Sequence, residues 1–136
     1  MNDTTLCPCH SGKLYRDCCR PYHLGKLPEN ALFLMRSRYC AYALHLADYI
    51  MHTTFPKEPA QEGDPMQWKS DIIAFSQATQ FQDLSIIKFI DGPQEAYVTF
   101  TAHLKQKDID ATFTEKSHFV KVDDCWLYES GQILNT

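Results

Sequence analysis

The sequence predicts an α+β protein, on three observations. Residues 29–46 carry apolar side chains at helical spacing, residues 95–107 alternate apolar and polar, and turn signals punctuate the chain after about Gln80. Helices come first and a meander of antiparallel strands follows, an order that belongs to α+β domains rather than to βαβ units. At 136 residues, 44% hydrophobic and 12% aromatic, the chain can build one ordinary domain with a real core plus a small appendage.

The appendage is residues 1–24, the domain residues 28–136, and Gly25-Lys26-Leu27-Pro28 is the breaker segment between them. A long helix runs from about Glu29 to Leu46. Pro28 suits its entry, and Glu29 favours the positive end of its dipole. Leu32, Met35, Tyr39, Tyr42 and Leu46 form one stripe, and Phe33, Cys40 and Leu44 a second. So wide an apolar surface calls for a helix enclosed by protein. Asp48 starts a short second helix through His52. Residues 55–64, with Pro56, Pro59 and Gly63, form a loop, and a third helix begins at Pro65 carrying Trp68, Ile72, Ile73 and Phe75.

Strands follow. Residues 83–90 are β-rich and Asp91-Gly92-Pro93 turns the chain. Along 95–107, Val98, Phe100, Ala102 and Leu104 share one face, while Tyr97, Thr99, Thr101 and His103 share the other. Residues 107–110 turn again, 112–122 form the next strand, Asp123-Asp124 is a tight turn, and Trp126–Tyr128 begins the last strand. Trp68 and Trp126 are expected as core anchors rather than as a stacking platform for bases.

Within the first nineteen residues stand Cys7, Cys9, Cys18 and Cys19. A C-x-C pair and an adjacent C-C pair on a short polar loop can converge on one tetrahedral ion. Zinc favours four soft or borderline ligands with no open position. Four thiolates leave no place for a substrate, so the expected metal is structural. His10 and His23 compete as ligands, since His23 lies four residues beyond Cys19 and could replace one thiolate. A disulfide scaffold fits less well. The polar start of the chain is not expected to act as a leader peptide, adjacent Cys18 and Cys19 do not readily bridge, and Cys40 and Cys125 sit in apolar contexts typical of buried free thiols. The expected compartment is the reducing cytoplasm, and no apolar run reaches transmembrane length.

These cysteines lie in a stretch that resembles the SEC-C zinc motif, also found at the C-terminus of the bacterial preprotein translocase motor ATPase. Its pattern is C-P-C-G-S-G-K-x-Y-x-x-C followed by Cys or His. Cys7, Pro8, Cys9, Ser11, Gly12, Lys13, Tyr15, Cys18 and Cys19 match, and His10 stands where the pattern has glycine. The resemblance implies Cys7, Cys9, Cys18 and Cys19 as the ligand set. In the translocase motor the module contacts a chaperone and is linked to lipid and ribosome surfaces.

Arg36-Ser37-Arg38-Tyr39, Ala41-Tyr42-Ala43, Asp48-Tyr49, Glu115-Lys116-Ser117-His118-Phe119 and Trp126-Leu127-Tyr128 extend the likeness. Together they resemble the YchJ-type family of small bacterial proteins. Membership implies a SEC-C motif ahead of a domain similar to nuclear transport factor two, a cone of helices wrapped by a curved sheet. Some members carry a second cysteine block at the C-terminus, and this sequence does not show one.

A second constellation joins Arg36, Arg38 and Tyr42 on the long helix to Glu115 and Ser117 on a strand. Strand alternation puts Glu115 and Ser117 on the face of Phe113 and Phe119. If that face lines the cone, Glu115 needs a partner there, and Arg36 or Arg38 is the natural one. The expectation is a buried structural ion pair, with a polar pocket floor as the alternative. His45, His52, His103 and His118 show no metal-ligand spacing.

The function expected is that of a zinc-binding accessory protein. Its knuckle would display Lys13, Tyr15, Arg16, Arg20 and Tyr22 to a protein or anionic partner, and the cone would hold a small ligand or serve homodimerisation. The alternative is a small-molecule-binding or enzymatic cone with a polar pocket around Glu115. A hollow interior with a histidine or tyrosine near Glu115 favours that alternative, and a filled interior favours the interaction module. The formal net charge of −4 argues against nucleic acid as the partner.

Overall fold

Asn30 sets the start of the long helix. Its side chain accepts from the Phe33 amide at 2.9 Å, a cap on one of the free donors of the first turn. Helix α2 therefore spans Ala31–Ala43, inside the expected limits. It ends in a Schellman closure: His45 adopts φ 63°, its amide reaches Tyr42 O at 3.2 Å, and the Leu46 amide reaches Ala41 O at 2.8 Å. The computed structural model describes residues 4–56 and 63–134. Of the expected loop at 55–64, residues 57–62 lie outside the described residues.

Ahead of α2 come a 3-10 turn (Tyr15–Asp17) and the one-turn helix α1 (Arg20–His23). After it come α3 (Ala47–His52) and α4 (Pro65–Ala78), the latter capped by Asp64 with Pro65 in its first turn. The strands are β1 (Gln80–Ile90), β2 (Glu95–Gln106), β3 (Ile109–Asp110), β4 (Phe113–Val122) and β5 (Cys125–Leu134). All pairings are antiparallel, in the order β1-β2-β4-β5, with β3 against β2. The turns at Lys107-Asp108 and Asp123-Asp124 each hold both residues at positive φ, the conformation that matches strand twist in a two-residue hairpin. Register shifts at Phe81/Asp83, Ile86/Lys88 and His118/Phe119 bend the sheet.

Helix α2 packs on β1, β2 and β5. The alternation expected along β2 holds: Val98, Phe100, Ala102 and Leu104 are buried and the intervening residues are not. Two expectations for the helices are corrected. Leu34, not Phe33, is fully buried, and Phe33 turns outward to stack on Tyr22. Trp126 is a core residue, but Trp68 is 36% exposed. The apolar core joining α2 to the sheet also contains Cys7, Cys9 and Cys19, so the cysteine block and the cone share one interior. Among the described residues no helix is long and apolar enough to cross a membrane.

Candidate metal centre and cone cavity

Residues 6–14 form a tight hairpin loop. Leu6 and Leu14 pair as an isolated antiparallel bridge, and the Cys7 amide reaches Lys13 O at 2.8 Å. The loop turns through His10 at φ 62° and Gly12 at φ 89°. His10 thus occupies a left-handed position that glycine adopts without strain. Its ring compensates by meeting Phe81 O at 3.2 Å and the edge of Tyr39.

This loop and the following turn bring the Sγ atoms of Cys7, Cys9, Cys18 and Cys19 within 4.8 Å of one another. Cys9 and Cys18 are 3.6 Å apart, and Cys18 and Cys19 4.0 Å. Zinc–thiolate bonds of about 2.3 Å in a tetrahedron place sulfurs about 3.8 Å apart. The donor set therefore fits a four-coordinate soft or borderline ion. Cys7, Cys9 and Cys19 are buried and Cys18 half-buried, so water has little access. With thiols this close, hydrogen bonding with Cys18, Cys19 and Cys40 pushes the Cys7 thiol well below its ordinary pKa. Donation from Cys18 and Cys19 takes Cys9 down to about 6, and Cys19 is held protonated by its hydrogen bond with Cys18. Cys7 and Cys9 thus give up their protons easily, while Cys18 and Cys19, both held above the ordinary thiol value, need a cation to do so.

His23 does not face the sulfurs. Its Nε2 donates to Ser37 O at 2.8 Å, which leaves Nδ1 to accept from Tyr15 OH at 2.7 Å. Burial then holds its pKa below the usual imidazole value. Tyr15 is consequently turned inward, not displayed as expected.

Two residues of α2 complete the surroundings. Arg36 Nη1 donates to Cys9 O at 3.1 Å and lies 3.9 Å from Cys9 Sγ. Cys40, fully buried, accepts from the Cys7 thiol at 3.8 Å. Its apolar helical setting gave the burial, but nothing in sequence spacing ties it to a thiol 33 residues earlier.

The expected pairing of Glu115 with Arg36 or Arg38 is corrected. Arg36 faces the cysteine block. Arg38 is buried, and its Nη1 donates to Ile50 O, Thr53 Oγ1 and Thr54 Oγ1 at 3.1, 2.8 and 3.1 Å. Its guanidinium lies 4.6 Å from the centroid of the Tyr128 ring. Glu115 is half-buried. Its Oε2 accepts from Ser117 Oγ and, at 3.3 Å, from Tyr128 OH. That hydroxyl is held above the usual phenol pKa by burial and by Glu115. The reason is spacing: Tyr128 stands between guanidinium and carboxylate, contacting both. Gly131 on β5, opposite Ser117, leaves room for the carboxylate, since a Cβ there would fall on Glu115 and sit 2.6 Å from Tyr128 OH. A lone glycine in a strand was the available signal for this close approach.

Arg38, Tyr42, Glu115 and Ser117 line one cavity of about 440 Å³ between α2, α4 and the sheet. Tyr39, Phe75, Phe81, Phe100, Phe113 and Phe119 supply much of its wall, and Trp68 and Asp71 of α4 stand exposed at its edge. The interior of the cone is hollow.

A SEC-C motif model matches residues 4–21, and the model of the YchJ middle domain, NTF2-like, matches residues 30–131. A UPF0225 protein of Actinobacillus succinogenes is 39% identical over 135 residues, covering 96% of this chain and 83% of the relative. A UPF0225 protein of Photorhabdus laumondii is 40% identical over 133 residues, covering 94% and 80%. The solution structure of a SEC-C motif containing protein from Rhodopseudomonas palustris superposes with a TM-score of 0.78 at 29% identity, covering 95% of this chain and 98% of that one. A crystal structure of a sec-c motif containing protein from Psychrobacter arcticus gives 0.77 at 26% identity, covering 98% and 85%. The chain belongs to the YchJ-like, UPF0225 family of bacterial proteins.

Proposed function

We propose that this is a cytoplasmic accessory protein whose cysteine knuckle holds one structural zinc ion and docks on a protein partner. The convergence of four sulfurs at tetrahedral spacing carries the metal reading. Cys7, Cys9, Cys18 and Cys19 would bind the ion, and Arg36 would offset part of the net negative charge of a tetrathiolate site. The six free thiols suit a reducing compartment. Docking is supported by the exposed apolar side chains Leu6, Leu24 and Leu27 of this segment and by the exposed Lys13 and Lys26 close to them in the chain, a mix that protein interfaces use.

Protein purified without chelator is expected to carry about one zinc per chain, as a closed site requires. Cys19→Ser should reduce retention and His23→Ala should not; the opposite outcome moves the fourth ligand to His23. For the partner, a photo-crosslinker at position 24 should give a discrete protein adduct that disappears on zinc removal. The same adduct from position 87, on the sheet, overturns docking through the knuckle.

A second reading rests on the cavity: the cone is hollow with Tyr128 OH 3.3 Å from Glu115, the arrangement expected of a small-molecule-binding or enzymatic cone, and it holds a small molecule. Its volume of about 440 Å³ falls in the range of about 300–1,000 Å³ usual for such sites.

A further inference from the structure

Arg38 leaves one edge of its guanidinium unused. All three of its hydrogen bonds leave from Nη1, and Nε and Nη2 make none among the described residues. The side chain is over nine-tenths buried and lines the cavity, and no carboxylate lies within ion-pair distance of it among the described residues. These two nitrogens are not among the solvent-excluded polar atoms that lack a partner, so they are accessible to a small molecule, and a mostly buried guanidinium favours an anionic match. The Nε/Nη2 edge is also the edge that grips a planar two-oxygen acid with parallel N–H donors.

We propose, resting on the small-molecule reading above, that the cavity binds an apolar monocarboxylate, its head on the Nε/Nη2 edge of Arg38 and its body among the aromatic side chains. Thr53 and Thr54 fix the guanidinium from behind. Both are held in turn, since Phe55 N and Thr53 O bond the Tyr128 backbone at 2.7 and 2.8 Å. The charge of the head follows from the same wall. Arg38 is the one cation among the cavity residues, which also include Glu115 and Asp71. A dianionic phosphate would meet one positive group and two negative ones. A monoanion is matched by Arg38, and Glu115, held at the Tyr128 hydroxyl, discriminates against a second negative charge. Phe75, Phe81, Phe100 and Phe113 then call for an apolar body.

The test uses the zinc-loaded full chain with decanoate and 1-decanol as probes, followed by calorimetry and by NMR of the cavity residues. Decanoate should bind at least about ten-fold tighter than decanol, the return expected from a charge-assisted bidentate contact. Arg38→Gln should shrink that preference to about two-fold or less. Should Arg38→Gln fail to fold, Glu115→Gln decides instead: it should tighten decanoate and leave decanol unchanged. Equal binding of both probes, with shifts at cavity residues, overturns the carboxylate while leaving a ligand cavity. Absence of cavity shifts with either probe overturns both readings.

Discussion

Arg36 and Arg38 leave the same helix in opposite directions, and the two regions they serve are built on opposite plans. Two residues along an α-helix is a rotation of about 200°, so one arginine turns to the sulfur cluster and the other to the cavity. On the sulfur side every group is close to another: the four clustered thiols, a fifth on Cys40, and the Arg36 contact to Cys9. That region is closed, and its four converging thiols could hold a metal ion. On the cavity side Arg38 and Glu115 are kept apart by Tyr128, and space remains between them and the aromatic wall. Closed packing serves stability. On the second reading proposed above, a hollow containing a fixed charge serves recognition.

The largest effect expected is from metal removal. Because Cys7, Cys9 and Cys19 belong to the same core as Leu34, Met35 and Cys40, the loss should reach beyond the cysteine block. Chelation is expected to abolish hydrogen-exchange protection across residues 4–24 and through the α2 turns from Leu34 to Cys40, while β2 and β4 stay protected. Loss confined to residues 4–24 would separate the two regions. Uniform loss through the sheet would make the metal a requirement for the whole fold.

Smaller effects are expected on the cavity side, since it is not fully packed. Gly131→Ala places a methyl group against the Glu115 carboxylate and Tyr128 OH, and should cost about 1–3 kcal/mol in urea denaturation, as overpacking does. Glu115→Ala removes no ion pair with either arginine. It should cost about 0.5–1.5 kcal/mol, the value of ordinary hydrogen bonds. A loss of about 3–5 kcal/mol would instead indicate a buried ion pair, and with it a cavity that closes in solution.

The sequence was legible where local chemistry dictates structure. The β2 alternation, the α+β order and the cysteine spacing are all short-range patterns, and each appears in the fold. The Asn30 cap was equally local, and pushed the start of α2 inward. What could not be read is where a helix face points once two different surfaces cover it. Arg36 and Arg38 look equivalent from spacing, and either could have met Glu115. The segment at Thr53-Thr54, pinned by β5, decides that Arg38 is held on the cavity side. That decision is made by contacts between distant parts of the chain. The hollow itself is likewise a product of sheet curvature and of where α4 lies, for which sequence carries no periodic signal.

The outer face of the sheet belongs to neither region and gives the smallest expected effect. His118 lies there between Glu129 and Glu95, each carboxylate 2.9 Å from a ring nitrogen, with its ring stacked on Tyr97. Partial burial pulls its pKa down, but the two carboxylates outweigh this and hold it above the ordinary value of 6.5. A pKa raised in the folded state means that the folded chain binds the proton more tightly than the unfolded chain. The associated stability is complete below pH 6.5 and is lost as pH rises through the raised folded-state pKa. The site is solvent-accessible, so its contribution should be about 1 kcal/mol or less, and less again at high salt. Denaturation of wild type and His118→Gln at pH 5.5 and pH 8.5 measures it: the gap between the two proteins should be larger at the lower pH. A gap independent of pH would mean that the ring acts through its stacking on Tyr97 and its uncharged hydrogen bonds. The pH response of the chain would then have to come from the thiol side of α2, where the same titration should be repeated on the zinc-loaded and chelated forms.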